Sequence, residues 1–197
     1  MGFYRSATRP GKDPPLTRHT LITDRLQLSP ITLADKDRLA VLHADARVMH
    51  LLRHGVLTRA QSDALVAKYA AEWPAQGFGC WAITEKDSGT LVGLGGLRVH
   101  ERGLGVALRA AFTPETQGKG YGPELGRAAA GFAFDVLGLD RMIAITRKDN
   151  LAGQRFLEKF GMVLEREFPG DHGAVLLYAL FNPNKGRSGG TGRTSPT

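Results

Sequence analysis

The sequence predicts an α/β protein with a mixed, mostly antiparallel central sheet of about seven strands and helices flanking it. Three observations carry that expectation. Short apolar runs rich in β-branched and aromatic residues alternate with longer stretches whose apolar residues recur at helical spacing. Two pairs of these short runs are joined by turn-forming residues, as antiparallel hairpins are. Between the pairs, a glycine-rich turn, Gln117-Gly118-Lys119-Gly120-Tyr121-Gly122, links one strand to one long helix.

Taken in order, Leu26–Pro30 alternates apolar and polar residues and reads as the first strand. Thr32 opens a helix whose apolar face is Leu33, Leu39, Leu42 and Val41. Thr58 and Gln61 have capping-box spacing and start a second helix through Tyr69 and Trp73, which Pro74 and Gly77 close. Phe78–Thr84 and Leu91–Val99 flank a turn-rich Glu85–Thr90 connection and form a hairpin. A strand at Val106–Phe112 ends at Thr113-Pro114, and a helix then runs from Tyr121 to about Leu137, where Gly138 stops it. Arg141–Thr146 is a strand, Asn150 caps a helix over Leu151–Phe160, and Gly161 ends it. Met162–Phe168 and Ala174–Leu180 complete the sheet.

The strand–turn–helix at 106–137 aims backbone N–H groups and the positive end of a helix dipole at one point, a geometry suited to phosphate oxygens. Three phosphate ligands are worth separating. A nucleoside-triphosphate loop needs Ser or Thr after its lysine, and Lys119 is followed by Gly120. A dinucleotide loop needs a third glycine where Pro123 stands, and an acid ending the next strand, which Arg141–Thr146 lacks. The third pattern, Q-x-x-G-x-G, is met by Gln117, Gly120 and Gly122. It resembles the coenzyme A pyrophosphate loop of the GNAT acetyltransferase superfamily.

Other segments carry the same likeness. Asp149-Asn150-Leu151-Ala152-Gly153-Gln154-Arg155-Phe156-Leu157-Glu158-Lys159-Phe160-Gly161 resembles the D-N-x-A-S-x-R-x-L-E-K-x-G segment of that superfamily's Rim-type, ribosomal-protein N-terminal acetyltransferase branch. Thr23-Asp24-Arg25-Leu26-Gln27-Leu28 resembles the branch's opening T-E-R-L-x-L, and Gly77–Ile83 with Leu91–Leu97 its central hairpin. The resemblance spans about residues 21 to 181. It implies the GNAT fold with a splayed central strand pair, acetyl-CoA as co-substrate without a metal, and acetyl transfer to a primary amine of a protein N-terminus or small molecule.

It also implies roles. Gln117, Gly118, Lys119, Gly120, Tyr121 and Gly122 would cradle the diphosphate, Phe112 and Thr113 would pair with the pantetheine amides, and Asn150 and Arg155 would touch the coenzyme. Catalysis departs from the family pattern. Leu157 stands where many members place a proton-donating tyrosine, and Ala107-Leu108-Arg109-Ala110 stands where Rim-type relatives show E-L-G-Y. His100 and Glu101, following the third strand, are the substitute candidates for taking the acceptor's proton. His43, His50 and His54 show no metal-ligand spacing with acids.

Composition narrows the class. The chain has 197 residues, enough for one domain with a sizeable core, and a net charge of +7. Residues 1–20 and 182–197 each carry +3 and are rich in Gly, Pro, Ser and Thr, leaving +1 for the middle. The expected organisation is a flexible basic tail over 1–20, an acetyltransferase domain over 21–181 and a second flexible basic tail over 182–197. Basic tails of this kind leave ribosome or nucleic-acid contact open, and a homodimer is open too. The single cysteine, Cys80, reads as a buried core residue, and no run is long enough to span a membrane, so a cytoplasmic location is expected. Against the enzyme stands a non-catalytic acyl-CoA-binding sensor or assembly module of the same fold.

Overall fold

The computed structural model describes residues 5–6, 19–49, 55–116, 118–171 and 173–185. Their strands form one sheet in the order β1-β2-β3-β4-β5-β6-β7-β9-β8. The ranges are β1 Arg5–Ser6, β2 Leu21–Ile22, β3 Leu26–Pro30, β4 Cys80–Glu85, β5 Leu91–Val99, β6 Val106–Phe112, β7 Arg141–Arg147, β8 Val163–Gly170 and β9 Gly173–Phe181. The helices are α1 Lys36–Ala44, α2 Ala46–Met49, α3 Arg59–Gln76, α4 Tyr121–Gly131 and α5 Leu151–Lys159. Seven strands are five residues or longer, as the sequence suggests, and the two-residue β1 and β2 are additions at one edge.

Every neighbouring pair is antiparallel except β6 and β7. That parallel pair has a single register contact, Ala107 with Ile143, whereas β5 and β6 stay paired from Gly93–Phe112 to Val99–Val106. The sheet is therefore two antiparallel halves joined by a short parallel seam. Past it, β6 loses its neighbour on one side: Arg109 and Ala110 are exposed although they lie mid-sheet.

Each face of the sheet has its own core. On the α4 side, Trp81, Ile83, Leu97 and Leu108 meet Trp73, Leu125, Ala129 and Phe132. On the α1–α3 side, Cys80, Ala82, Leu94 and Ala111 meet Ile31, Leu39, Val66 and Tyr69. Glycines in β5 permit close approach, Gly95 to α4 and Gly96 to the backbone entering β4. A Cβ on Gly95 would lie 2.5 Å from Leu125 Cδ2, and one on Gly96 would lie 2.2 Å from the Gly79 carbonyl oxygen. Cys80 is fully buried, and burial pushes its thiol up to about 12.

The structure corrects several local expectations. Leu33 and Val41 are exposed rather than part of the apolar face of α1. Leu33 lies in a separate 3-10 turn (Leu33–Asp35). Val41 is turned about 200° from Leu39 and about 100° from Leu42 on the helix wheel, and so faces solvent. Pro74 does not end its helix, because α3 continues to Gln76. Gly77 ends it, at φ +77°, with its N–H on the Trp73 carbonyl at 2.9 Å. After Gly131, α4 widens into a π-helical turn, Phe132–Val136, before Gly138. The Thr58–Gln61 capping box forms as expected.

Residues just outside 21–181 also take part in the fold. His19 packs 5.2 Å from the Trp73 ring, its carbonyl accepts from Trp81 Nε1 at 2.8 Å, and Arg5–Ser6 pairs with Leu21–Ile22. At the other end, Asn182 is buried and donates from Nδ2 to the Leu139 carbonyl, and Lys185 Nζ donates to the Gly138 carbonyl. Residues 182–185 thus close the end of α4, because buried polar groups there need partners. The rest of both expected tails, and His50 and His54, lie outside the described residues.

Candidate active site

The glycine-rich turn begins where β6 ends. A 3-10 turn, Pro114–Thr116, leads into it, and α4 starts at Tyr121 with Gly120 as its cap. Gly118 and Gly120 take φ values of +79° and +77°, the left-handed region that glycine enters without a Cβ penalty. Among these residues, the Lys119 N–H already reaches the Thr116 carbonyl at 3.2 Å, and the Lys119 ammonium sits 3.9 Å from Glu85. Gln117 lies outside the described residues. A Cβ on Gly122 would lie 3.4 Å from the Phe156 ring, so this glycine brings α5 against the loop.

A network that was not singled out in the sequence holds the loop in place. Glu124, in the first turn of α4, is buried. Its Oε1 accepts from Thr23 Oγ1 at 2.6 Å and from the Arg25 backbone N–H at 2.8 Å, and its Oε2 accepts from Arg25 Nε at 2.8 Å. Arg25 also donates to the Lys119 carbonyl at 2.6 Å, and its guanidinium stacks on Tyr121 at 4.9 Å. The Tyr121 hydroxyl donates to Glu85. Burial raises the pKa of the Glu124 carboxyl. The Thr23 hydroxyl and the Arg25 backbone and side chain outweigh it and hold that pKa below its ordinary value. The Thr23–Leu26 segment is thus the brace of the loop. Its visible signal was a motif match without a physical reason.

The separated β6 and β7 open a cavity of about 550 Å³, whose wall includes Asn150 but none of the described glycine-loop residues. Leu108, Arg109 and Ala110 line it from β6, and Ala144, Ile145, Thr146 and Arg147 from β7. Which backbone groups face it follows from the ladder. The Thr113 N–H bonds the Val92 carbonyl at 2.9 Å, and the His100 N–H bonds the Gly105 carbonyl at 2.9 Å. Odd-numbered β6 residues therefore point their backbone groups at β5, and by alternation Ala110 and Phe112 point theirs toward the gap. The Thr113 carbonyl is also engaged, by Thr116 N and Oγ1 at 3.0 and 2.7 Å. Phe112 thus turns its backbone groups to the gap, as does Ala110, which the sequence did not single out, whereas both backbone groups of Thr113 are used within the chain.

The remaining candidates divide. Asn150 lines the cavity and caps α5, with Oδ1 accepting from the Gly153 N–H at 3.0 Å and Nδ2 donating to Thr146 Oγ1 at 3.2 Å. Arg155 is exposed on α5 and does not line the cavity. His100 and Glu101 do line it. His100 Nδ1 accepts the Arg102 N–H at 3.2 Å, so the neutral ring carries its proton on Nε2 and must give up that bond to act as a base. Leu157 lines the cavity where a tyrosine would serve as acid. Among the described residues, no group of three or more His, Cys, Asp or Glu could hold a metal ion.

A glycine-rich turn at a helix start, a gap between parted strands and a cavity between them define the class of protein, an α/β sheet split at one seam. Residues 25–163 match the family model for the acetyltransferase (GNAT) domain, and the chain belongs to that family. It is 27% identical over 154 residues to the uncharacterized N-acetyltransferase YnaD of Bacillus subtilis (strain 168), covering 75% of this chain and 85% of that one. It is also similar to the structure of a GNAT-family acetyltransferase from Bordetella pertussis. That match has a TM-score of 0.72 and 25% identity, covering 81% of this chain and 98% of the other. At 18% identity it shares the fold of spermidine N-acetyltransferase from Vibrio cholerae, solved with CoA and spermine. There the TM-score is 0.69, with 81% and 97% of the two chains covered. No described helix is long and apolar enough to cross a membrane.

Proposed function

We propose that the protein transfers acetyl from acetyl-CoA to a primary amine by direct attack in a ternary complex. The parting of β6 from β7 after one register contact, with the glycine loop at the end of the same strand, carries this reading. The diphosphate would lie against the N–H groups of Gly118, Gly120, Tyr121 and Gly122 at the start of α4, since that of Lys119 is already bonded to Thr116. The pantetheine limb would replace the missing parallel neighbour, pairing with Ala110 and Phe112. Tyr121 and Lys119 then shape the loop more than they bind phosphate, since Glu85 engages both side chains. Arg155, free of the cavity wall, is a candidate for an outer phosphate.

The acceptor enters the cavity from the side of His100 and Glu101. Its ammonium loses one proton to Glu101 or to water, the neutral amine attacks the thioester carbon, the C–S bond breaks to release the CoA thiolate, and the second proton on the amide nitrogen passes to water. Leu157 supplies no acid, so water protonates the thiolate. General acid–base help is worth about 10²–10⁴-fold, and positioning can carry much of the rest. The motifs at 23–26 and 149–161 favour the Rim-type branch, while Ala107–Ala110 departs from that branch's acceptor side. The proposed domain spans 19–185, with cytoplasmic action.

Gly120→Asp tests the coenzyme site. It adds a carboxylate to the anion loop at a φ that Asp tolerates. Calorimetry is expected to show acetyl-CoA bound about tenfold or more weakly by a folded variant, and unchanged affinity would sink the assignment. A panel of amines with free-CoA detection separates the enzyme from a non-catalytic acyl-CoA binder. The binder is motivated by Leu157 and Ala107, and it predicts stoichiometric binding with no thiol release.

A further inference from the structure

Arg109 is an odd residue to find in the middle of a central strand. It is exposed there because it lies past the β6–β7 seam, and its side chain lines the cavity. Register places it in one row with Gly96 and Cys80, so it projects toward the α1–α3 face, opposite to α4. Among the described residues it has no hydrogen bond and no ion pair, unlike the other arginines of the wall. Arg147 is bound to Asp149, and Arg102 lies 4.0 Å from Asp171. Phosphate is not its natural ligand here. Arg109 precedes the end of β6 by three residues, about 10 Å of strand, and the glycine loop lies beyond that end.

Resting on the acetyl-transfer reading, we propose that Arg109 binds a carboxylate of the acceptor, which is a small α-amino acid rather than a plain amine or a polyamine. An unpaired guanidinium presents a planar fork that matches a carboxylate with two parallel hydrogen bonds. The wall also carries Glu101, of opposite sign, so both charges of a zwitterion find a complement. Leu108, Ile145, Phe156, Phe168 and Val175 give the cavity apolar surface for the amino acid's side chain. A polyamine would instead meet an uncompensated positive charge.

The test compares amino acids with their decarboxylated counterparts, phenylalanine with phenethylamine and methionine with 3-methylthiopropylamine, using the full chain and free-CoA detection. The wild type is expected to favour at least one acid over its amine by about 10- to 100-fold in kcat/KM. R109Q should collapse that ratio by raising KM for the acid, and R109E should invert it. Acetyl-CoA affinity, measured by calorimetry on the same variants, is expected to stay within about twofold. Turnover confined to amines without a carboxylate, no turnover of either class, or a preference that survives R109Q overturns the proposal. Acetyl-CoA bound by the wild type with no such preference removes this inference alone. No acetyl-CoA binding removes the transfer reading with it.

Discussion

Glu124 shows how much one buried carboxylate can organise. It ties the start of α4 to the Thr23–Arg25 segment, and Arg25 reaches on to the Lys119 carbonyl. Glu124→Ala should leave the Thr23 hydroxyl and the Arg25 N–H groups without their acceptor. The expected cost is about 2–3 kcal/mol in denaturant unfolding, moderated because Arg25 is half-exposed and water can solvate it. Because the folded pKa is held below the ordinary 4.5, the network's stabilisation is complete at neutral pH and fades as pH falls below about that value. Wild type should therefore lose more stability than Glu124→Gln on acidification from pH 6 to pH 4, measured by urea titration. Equal losses would mean that the carboxylate is not the titrating group. Sequence reasoning found Thr23 and Arg25 as parts of a motif but not Glu124. Their meeting spans about a hundred residues of chain, and no local pattern reports such a contact.

Elements were the most legible level. β6 has the bounds expected of it, and the caps at Thr58 and Asn150 form with the predicted residues. What the pattern hid was orientation. The same strand offers backbone groups to β5 or to the gap according to parity, and only the ladder says that Phe112 faces the gap and Thr113 does not. Arg109 was likewise visible as a departure from a motif, but its freedom follows from the seam. The glycines of β5 predict the cost of losing close approach. Gly96→Ala drives a methyl group to 2.2 Å from a backbone oxygen, with an expected loss of about 3 kcal/mol or more by thermal or urea unfolding. Cys80, on the adjoining β4, gives a probe of the same region. Its thiol, pushed to about 12 and buried, should resist iodoacetamide at pH 8 until the sheet opens. Labelling at the rate of a free thiol in native buffer would contradict the packing described.

At the scale of the whole molecule, the proposed coenzyme binding would be linked to folding. At a concentration of acetyl-CoA about 100 times its Kd, the folded state gains about 2.7 kcal/mol, so the melting temperature should rise by roughly 5–10 °C. A thermal scan with and without ligand checks this, and a flat response would argue against the slot. The acceptor was the least legible feature. It depends on which side chains a gap in the sheet uncovers, and gaps are properties of the assembled sheet. The family and its glycine-rich turn could be read early because they lie in contiguous residues.

The lone Ala107–Ile143 rung has a mechanical corollary. A sheet so lightly laced along one line would be expected to flex there, as two leaves on a hinge. The bound thioester carrier would then act as a suture. It would stiffen the leaves against each other while it is held, and it would free them to flex when it departs.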